Sequence, residues 1–263
     1  MTWDELASRW ERGRALHRQA TSVVSDWLVD RLAPEPGQVV LDLAAGTGET
    51  GFLAAPKLEP GGTLIVGDRS PEMLAAARRV GAELGVTNAD FRLLDVEHLD
   101  LPDASVDGVL SRFGYILRGN GLAEGRRVLR PGGRLAFAVW GKRERNDWMT
   151  IPADVMIERG DLDPPTDAEL RLSERRTAAS IERLVGEAGF EHVELAEQPV
   201  AYRFAGADEL WFFVSALRGP VALALDRLGD DERASVRAEL ERRVPRAADG
   251  FELGGVALEV CAS

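Results

Sequence analysis

The stretch V-V-L-D-L-A-A-G-T-G-E-T-G, residues 39–51, decides the fold of this chain. Val39 to Leu43 reads as a buried strand and Glu49 opens a helix, so the glycines between them form a strand-to-helix turn. Gly46, Gly48 and Gly51 fit G-x-G-x-x-G, the spacing at which backbone comes close to a ligand and a helix N-terminus faces it. A nicotinamide dinucleotide is one ligand such a turn holds. Its pyrophosphate, however, wants bare N–H groups and the positive helix end. Asp42, four residues before Gly46, sets a negative charge at the strand tip that repels it in a partly dry cleft. The ligand that suits this acid has an adenosine for the apolar cleft and a cationic end, and S-adenosylmethionine, with its ammonium and sulfonium, meets both requirements. The bland alternative is a helix-entry turn with a solvated Asp42.

The elements extend outward from this turn. Residues 4–32 carry Leu16, Ala20, Val23, Val24, Trp27, Leu28 and Leu32 at helical spacing, which predicts a helical arm over 1–33 ended by Pro34-Glu35-Pro36-Gly37. After the helix from Glu49 to Leu58 comes a second strand, Thr63 to Gly67, closed by Asp68. Ser70 and Pro71 then supply an N-cap and a first-turn proline for a helix through Leu84. Strands at Phe91–Leu94, Val106–Leu110 and Leu135–Trp140, with a helix at Leu122–Leu129, continue the alternation. Alternating strands and helices predict an α/β fold, a doubly wound, mostly parallel, seven-stranded Rossmann-like sheet. One domain spans 1–263, with a cofactor-binding core at 34–141 and a lid-like insertion at 142–175. The remainder of the sheet lies in 176–263, interrupted by helices at 207–245. His192 to Phe204 and Val256 to Val260 are its late strands, and Pro131-Gly132-Gly133 is a turn into the fifth strand.

With 263 residues, 45% of them hydrophobic, the chain is long enough for one large folded domain. The net charge of −12 repels polyanions, so nucleic acid and an anionic membrane are not expected partners. Cys261 is the single cysteine, which excludes an intrachain disulfide and any cysteine-built metal site; no metal is expected. The N-terminus lacks the basic start and apolar run of a signal peptide, and no stretch is apolar enough to span a bilayer. A cytoplasmic protein is the expectation, working on a small molecule, with a homodimer left open.

Four segments in order, L-D-L-A-A-G-T-G at 41–48, V-G-D-R-S-P-E-M-L at 66–74, L-L-D-V-E-H-L-D-L-P-D-A-S-V-D at 93–107 and V-L-R-P-G-G-R-L at 128–135, carry a family resemblance. The chain resembles the class I S-adenosylmethionine-dependent methyltransferases, in particular the bacterial small-molecule branch similar to the ubiquinone and menaquinone methyltransferases. The likeness covers about residues 35–141. It implies S-adenosyl-L-methionine as cofactor and S-adenosyl-L-homocysteine as product, held by Asp42, Ala44, Gly46, Thr47, Gly48, Asp68, Arg69, Met73, Asp95, Val96, Ser111, Arg112 and Phe113. In this resemblance Asp68 accepts the ribose hydroxyls, Asp95 and the Val96 backbone read adenine, and a carbonyl near Ser111 meets the methionine moiety. Met73 packs on adenine or in the core, and Phe113 and Tyr115 flank the sulfonium or belong to the core. The chain has Ser111-Arg112-Phe113-Gly114-Tyr115 where amino-methylating nucleic-acid enzymes carry Asn/Asp-Pro-Pro-Tyr. A base-methylating enzyme is therefore not expected.

Trp10, seven residues from Trp3 on the same side of the arm, is a further candidate to cover the cofactor, with packing against the domain as the alternative. Of His17, His98 and His192, His17 is the best candidate for a general base, although a surface histidine is the expectation. No triad or metal constellation is present, so no catalytic residue is assigned. Segments 148–157 and 211–228, with Met149 and Trp211, are apolar enough for an acceptor pocket, and a cap or dimer surface is the alternative. A small, apolar or aromatic methyl acceptor is the leading expectation. A non-catalytic S-adenosylmethionine-binding regulator is the next, and an NAD(P)-dependent oxidoreductase is further disfavoured by the lack of a Tyr-x-x-x-Lys pair.

Overall fold

The structure, a computed structural model, describes residues 3–114, 116–217 and 219–263. In chain order the elements are α1 (Trp3–Leu32), β1 (Val39–Leu43), α2 (Glu49–Ala54), β2 (Thr63–Asp68), α3 (Pro71–Glu83), β3 (Ala89–Leu93), β4 (Val106–Arg112), α4 (Gly121–Val128) and β5 (Leu129–Trp140). They continue with α5 (Asp147–Arg159), α6 (Asp167–Glu174), α7 (Ala178–Glu187), β6 (Val193–Phe204), α8 (Ala207–Leu217), α9 (Gly219–Leu225), α10 (Asp230–Arg243), β7 (Arg246–Ala247) and β8 (Gly250–Ala262). The chain divides into two compact units. One holds Ser22–Val139, Thr177–Gln198 and Ala257–Ser263, and the other Met1–Thr21, Trp140–Arg176 and Pro199–Val256. Both insertions marked out in the sequence, 142–175 and 207–245, fall in the second.

The first unit is built on the sheet. Its strand order is β3-β2-β1-β4-β5-β8-β6, with β1 parallel to β2 and β4, β2 parallel to β3, and β4 parallel to β5. From β1 the chain steps outward to β2 and β3, then returns to lay β4 on the other side of β1. That reversal opens a crevice at the carboxyl ends of β1 and β4, the place where open parallel sheets bind ligands. β1 is buried along nearly its whole length, as expected for a strand covered on both faces. α3 starts where the sequence predicts, with Ser70 Oγ accepting the Met73 N–H and Pro71 in the first turn. One face of the sheet packs Leu41, Leu43, Val109, Leu135, Phe137, Leu258 and Val260 with Ile181 and Val185 of α7.

Some boundaries differ from the expected ones. Pro56 tightens the end of the helix after Glu49 into a 3-10 turn over Ala55–Leu58. β5 runs from Leu129 through Pro131-Gly132-Gly133, which forms an irregularity inside the strand: Val106 pairs with Leu129 and Gly108 with Arg134. β8 begins six residues before Val256, after a short antiparallel pairing with β7.

The second unit has an aromatic core. Trp140 and Trp148 lie with ring centroids 4.5 Å apart, Trp148 and Tyr202 5.6 Å, Tyr202 and Phe213 4.7 Å, and Phe213 and Phe204 5.2 Å. Asn146, fully buried, ties this core together. Its Oδ1 accepts from Trp148 Nε1 and from the Val256 N–H, both at 3.1 Å, and its amide donates to the Lys142 carbonyl. The stretch 142–175, expected as a lid-like insertion, carries the two helices α5 and α6. Among the described residues, no helix is long and apolar enough to cross a membrane.

Candidate cofactor site

The glycine turn is held together by two carboxylates. Asp42, the next-to-last residue of β1, is 1% exposed, and its Oδ2 accepts the Gly51 N–H at 2.9 Å. A Cβ on Gly51 would stand 2.7 Å from that oxygen, so the third glycine of the motif is needed for the fit of α2 against Asp42. Burial pushes the Asp42 carboxyl up to about 7, against the Gly51 N–H and the Arg112 guanidinium, which favour the charged form. Asp68, at the end of β2, joins the turn from the other side: Oδ2 accepts the Gly46 N–H and Oδ1 the Ser70 N–H, each at 2.9 Å. Burial raises its pKa, and those backbone N–H groups hold it down. Ala44, Gly46 and Gly48 take positive φ of 56°, 57° and 85°, and the space around a Gly46 Cβ is open.

The other predicted residues gather around the same strand ends or just beyond them. Thr47 is buried within the turn and Arg69 is exposed. Asp95, two residues past β3, is exposed and accepts the Glu97 N–H at 3.0 Å, a turn that fixes the loop. The side chains of Val96 and Met73 are buried, Val96 within the core cluster, so of Val96 only the backbone is offered to a ligand. Ser111 is fully buried, and its Oγ has no hydrogen-bond partner among the described residues. Arg112 reaches Glu49 Oε2 at 3.3 Å and lies over the Phe113 ring. Phe113 itself has φ of 59° and donates its N–H to the Ala138 carbonyl. Tyr115 lies outside the described residues. Glu49 was not among the expected site residues, because nothing in a sequence marks a helix-opening glutamate as buried.

Trp10 belongs to the second unit. There its ring meets Trp3 at 6.1 Å and His17 at 4.9 Å, both edge-on, and its indole Nε1 is buried without a hydrogen-bond partner among the described residues. The expectation of a surface His17 is overturned: the imidazole is 7% exposed, with Nδ1 2.8 Å from the hydroxyl of Tyr202, itself 1% exposed. Tyr202 supplies the polar partner that a helical arm read alone could not reveal. His98 and His192 are exposed. Among the described residues, no group of three or more His, Cys, Asp or Glu could hold a metal ion. A groove at the opposite strand ends is lined by Gln38, Asp107 and Arg134, but Asp107 there is engaged by the Val39 N–H and Arg130.

These residues suit an adenosine bearing a positively charged tail better than a dinucleotide. The turn lies on a buried acid, a second acid closes it, and the buried Ser111 hydroxyl and a positive-φ aromatic follow at the end of β4. A pyrophosphate would meet negative charge here with no lysine or arginine from the turn itself.

Comparison with known proteins agrees. A family profile described as Methyltransferase domain matches residues 40–133. The ubiquinone/menaquinone biosynthesis C-methyltransferase of Paracoccus denitrificans is 31% identical over 214 residues, 73% of this chain and 82% of that protein. An arsenite methyltransferase of Halobacterium salinarum is 33% identical over 175 residues, 65% of this chain; the match spans only 42% of that longer protein. Among solved structures, the YcgJ protein of Bacillus subtilis shares the fold, with a TM-score of 0.58 at 17% identity over 92% of this chain and 97% of that one.

Proposed function

The chain belongs to the class I S-adenosylmethionine-dependent methyltransferases, and from that premise we propose that it transfers the methyl group of S-adenosylmethionine to a small, apolar or aromatic acceptor. The observation that carries the cofactor assignment is the pair of strand-end carboxylates that brace the glycine turn, Asp42 through Gly51 and Asp68 through Gly46. Asp68, Asp95 and the Val96 backbone would hold the adenosine. Asp42, Ser111 and Arg112 would hold the amino-acid end, with Ala44, Gly46, Thr47 and Gly48 forming the floor. When bound, the cofactor supplies an electrophilic methyl on a positively charged sulfur.

The protein's part in such a reaction is to orient and to exclude water, because in-line displacement needs a general base only for a nucleophile that starts protonated. Buried walls around Asp42 and Ser111 keep water from the charged end. The acceptor reading rests on the apolar character of the second unit, where Met149 and Trp211 are half-buried. Arsenite does not fit as acceptor: trivalent arsenic is soft and is gathered by several thiolates, and this chain has one cysteine.

The test is turnover with methyl-labelled cofactor against a panel of phenols, quinols, amines and arsenite. Label transferred to an apolar or aromatic member is the expected result. For that acceptor, Trp211→Ala and Met149→Ala are expected to raise KM by about tenfold while the cofactor Kd stays unchanged. Cofactor binding without turnover on any member would favour a regulatory binding protein instead.

A further inference from the structure

Glu49 opens α2, yet its carboxylate does not face water. Its side chain is 9% exposed, Oε2 lies 3.3 Å from Arg112 Nη2, and Oε1 is buried with no hydrogen-bond partner among the described residues. The Arg112 side chain is 10% exposed. One contact at 3.3 Å is far from the short, two-pronged fork that makes an arginine–carboxylate pair self-sufficient. A half-satisfied carboxylate out of water is costly, and the cost falls when further positive charge arrives.

Two other acids share this neighbourhood. Asp42 is 1% exposed and Asp68 7%, and Asp42 feels the charges of Glu49, Asp68 and Arg112. Three carboxylates therefore share a water-poor place with the Arg112 guanidinium, while exposed Arg69 acts on Asp68 from the surface. Burial raises the Asp42 carboxyl to about 7, with the nearby Asp68 and Glu49 charges adding to the rise and Arg112 opposing it.

We propose that Glu49 makes this site selective for the positive charge of the methyl donor over the neutral thioether left after transfer. The inference rests on the cofactor reading above. S-adenosylmethionine and S-adenosylhomocysteine share the adenosine, the carboxylate and the ammonium, and differ by one methyl and one positive charge. In the transfer the C–S bonding pair stays on sulfur, the acceptor's pair forms the new bond to the methyl carbon, and the sulfur becomes neutral. The acidic cluster then loses the charge it favoured, so the spent cofactor is held more weakly and leaves for fresh donor.

The experiment is calorimetric titration of the full chain with each compound, for wild type, Glu49→Gln and Glu49→Asp. Wild type is expected to bind the donor about tenfold more tightly than the thioether, the scale of one charge acting over a few ångströms in a partly dry site. Glu49→Gln is expected to bring the ratio close to one, chiefly by weakening the donor, while Glu49→Asp, which keeps the charge, retains a preference for it. Retained thioether binding in Glu49→Gln also shows that the variant is folded; if that variant does not fold, the wild-type and Glu49→Asp ratios decide. Equal affinities in wild type, tighter thioether binding, or an unchanged ratio in Glu49→Gln would overturn the inference and make the Glu49–Arg112 contact a structural pair. Binding of neither compound by wild type would instead overturn the cofactor reading.

Discussion

Asp42 shows how one side chain links the turn's geometry to its chemistry. Its carboxylate sits under the first turn of α2, where the Gly51 N–H is too little to offset the loss of water, and its pKa rises from 3.8 to about 7. Because the folded-state value lies above the unfolded one, ionising Asp42 costs stability as pH rises through about 7 in the free protein. A cationic ligand has the opposite preference: it binds the ionised acid better. The affinity for S-adenosylmethionine is therefore expected to increase between about pH 5.5 and pH 7.5, and Asp42→Asn, which cannot ionise, is expected to bind weakly with a flat profile. Parallel pH profiles for the two proteins in calorimetry would contradict this role. Asp42 was legible in the sequence because an acid stood where a pyrophosphate-binding turn has none. Its depth of burial was not, since that depends on α2 folding back over it.

Strands and helices differed in how plainly they could be read. β1, β2 and β4 are short apolar runs bounded by glycine, proline and aspartate, and each lies close to its expected place. β8 is harder, because Gly254 and Gly255 interrupt its alternation. The structure gives a reason for one of them: a Cβ on Gly255 would stand 2.7 Å from both Asn146 Oδ1 and Trp148 Cδ1. β8 also carries a buried acid between two core residues. Leu258 and Val260 pack in the core cluster, while Glu259 is 1% exposed with Oε1 unpartnered among the described residues, and burial pushes its pKa from 4.5 to about 7, opposed by Arg31. The raised value means that the folded state holds this proton more tightly than the unfolded chain. Its contribution is fully present below about pH 4.5 and is lost as pH rises through about 7. Glu259→Gln is expected to raise Tm by about 2–4 °C at about pH 8 and to change it little at about pH 5. Thermal denaturation at the two pH values checks this, and an equal shift at both would show that the charge is not the cause.

Across the whole molecule, the strands that carry the proposed cofactor site were legible and the second unit largely was not. The proposed site residues recur at or just beyond the carboxyl ends of β1, β2, β3 and β4, so each stands at the same point of its strand, although their order along the crevice follows the sheet, β3-β2-β1-β4, and not the sequence. Glu49 and Arg112, 63 residues apart, and His17 and Tyr202, 185 apart, meet only through folding, and no local pattern announces either pair. The net charge of −12 bears on partners rather than on fold, and it agrees with a small acceptor better than with a polyanion. The most direct test of the central claim is calorimetric titration of wild type and Asp68→Ala with S-adenosylmethionine, with NAD run alongside. Saturable binding of S-adenosylmethionine alone, weakened at least about tenfold by loss of the Asp68 carboxylate, is the predicted result. Binding of NAD, or S-adenosylmethionine binding untouched by Asp68→Ala, would contradict the assignment of the β1–β2 strand ends as the cofactor site.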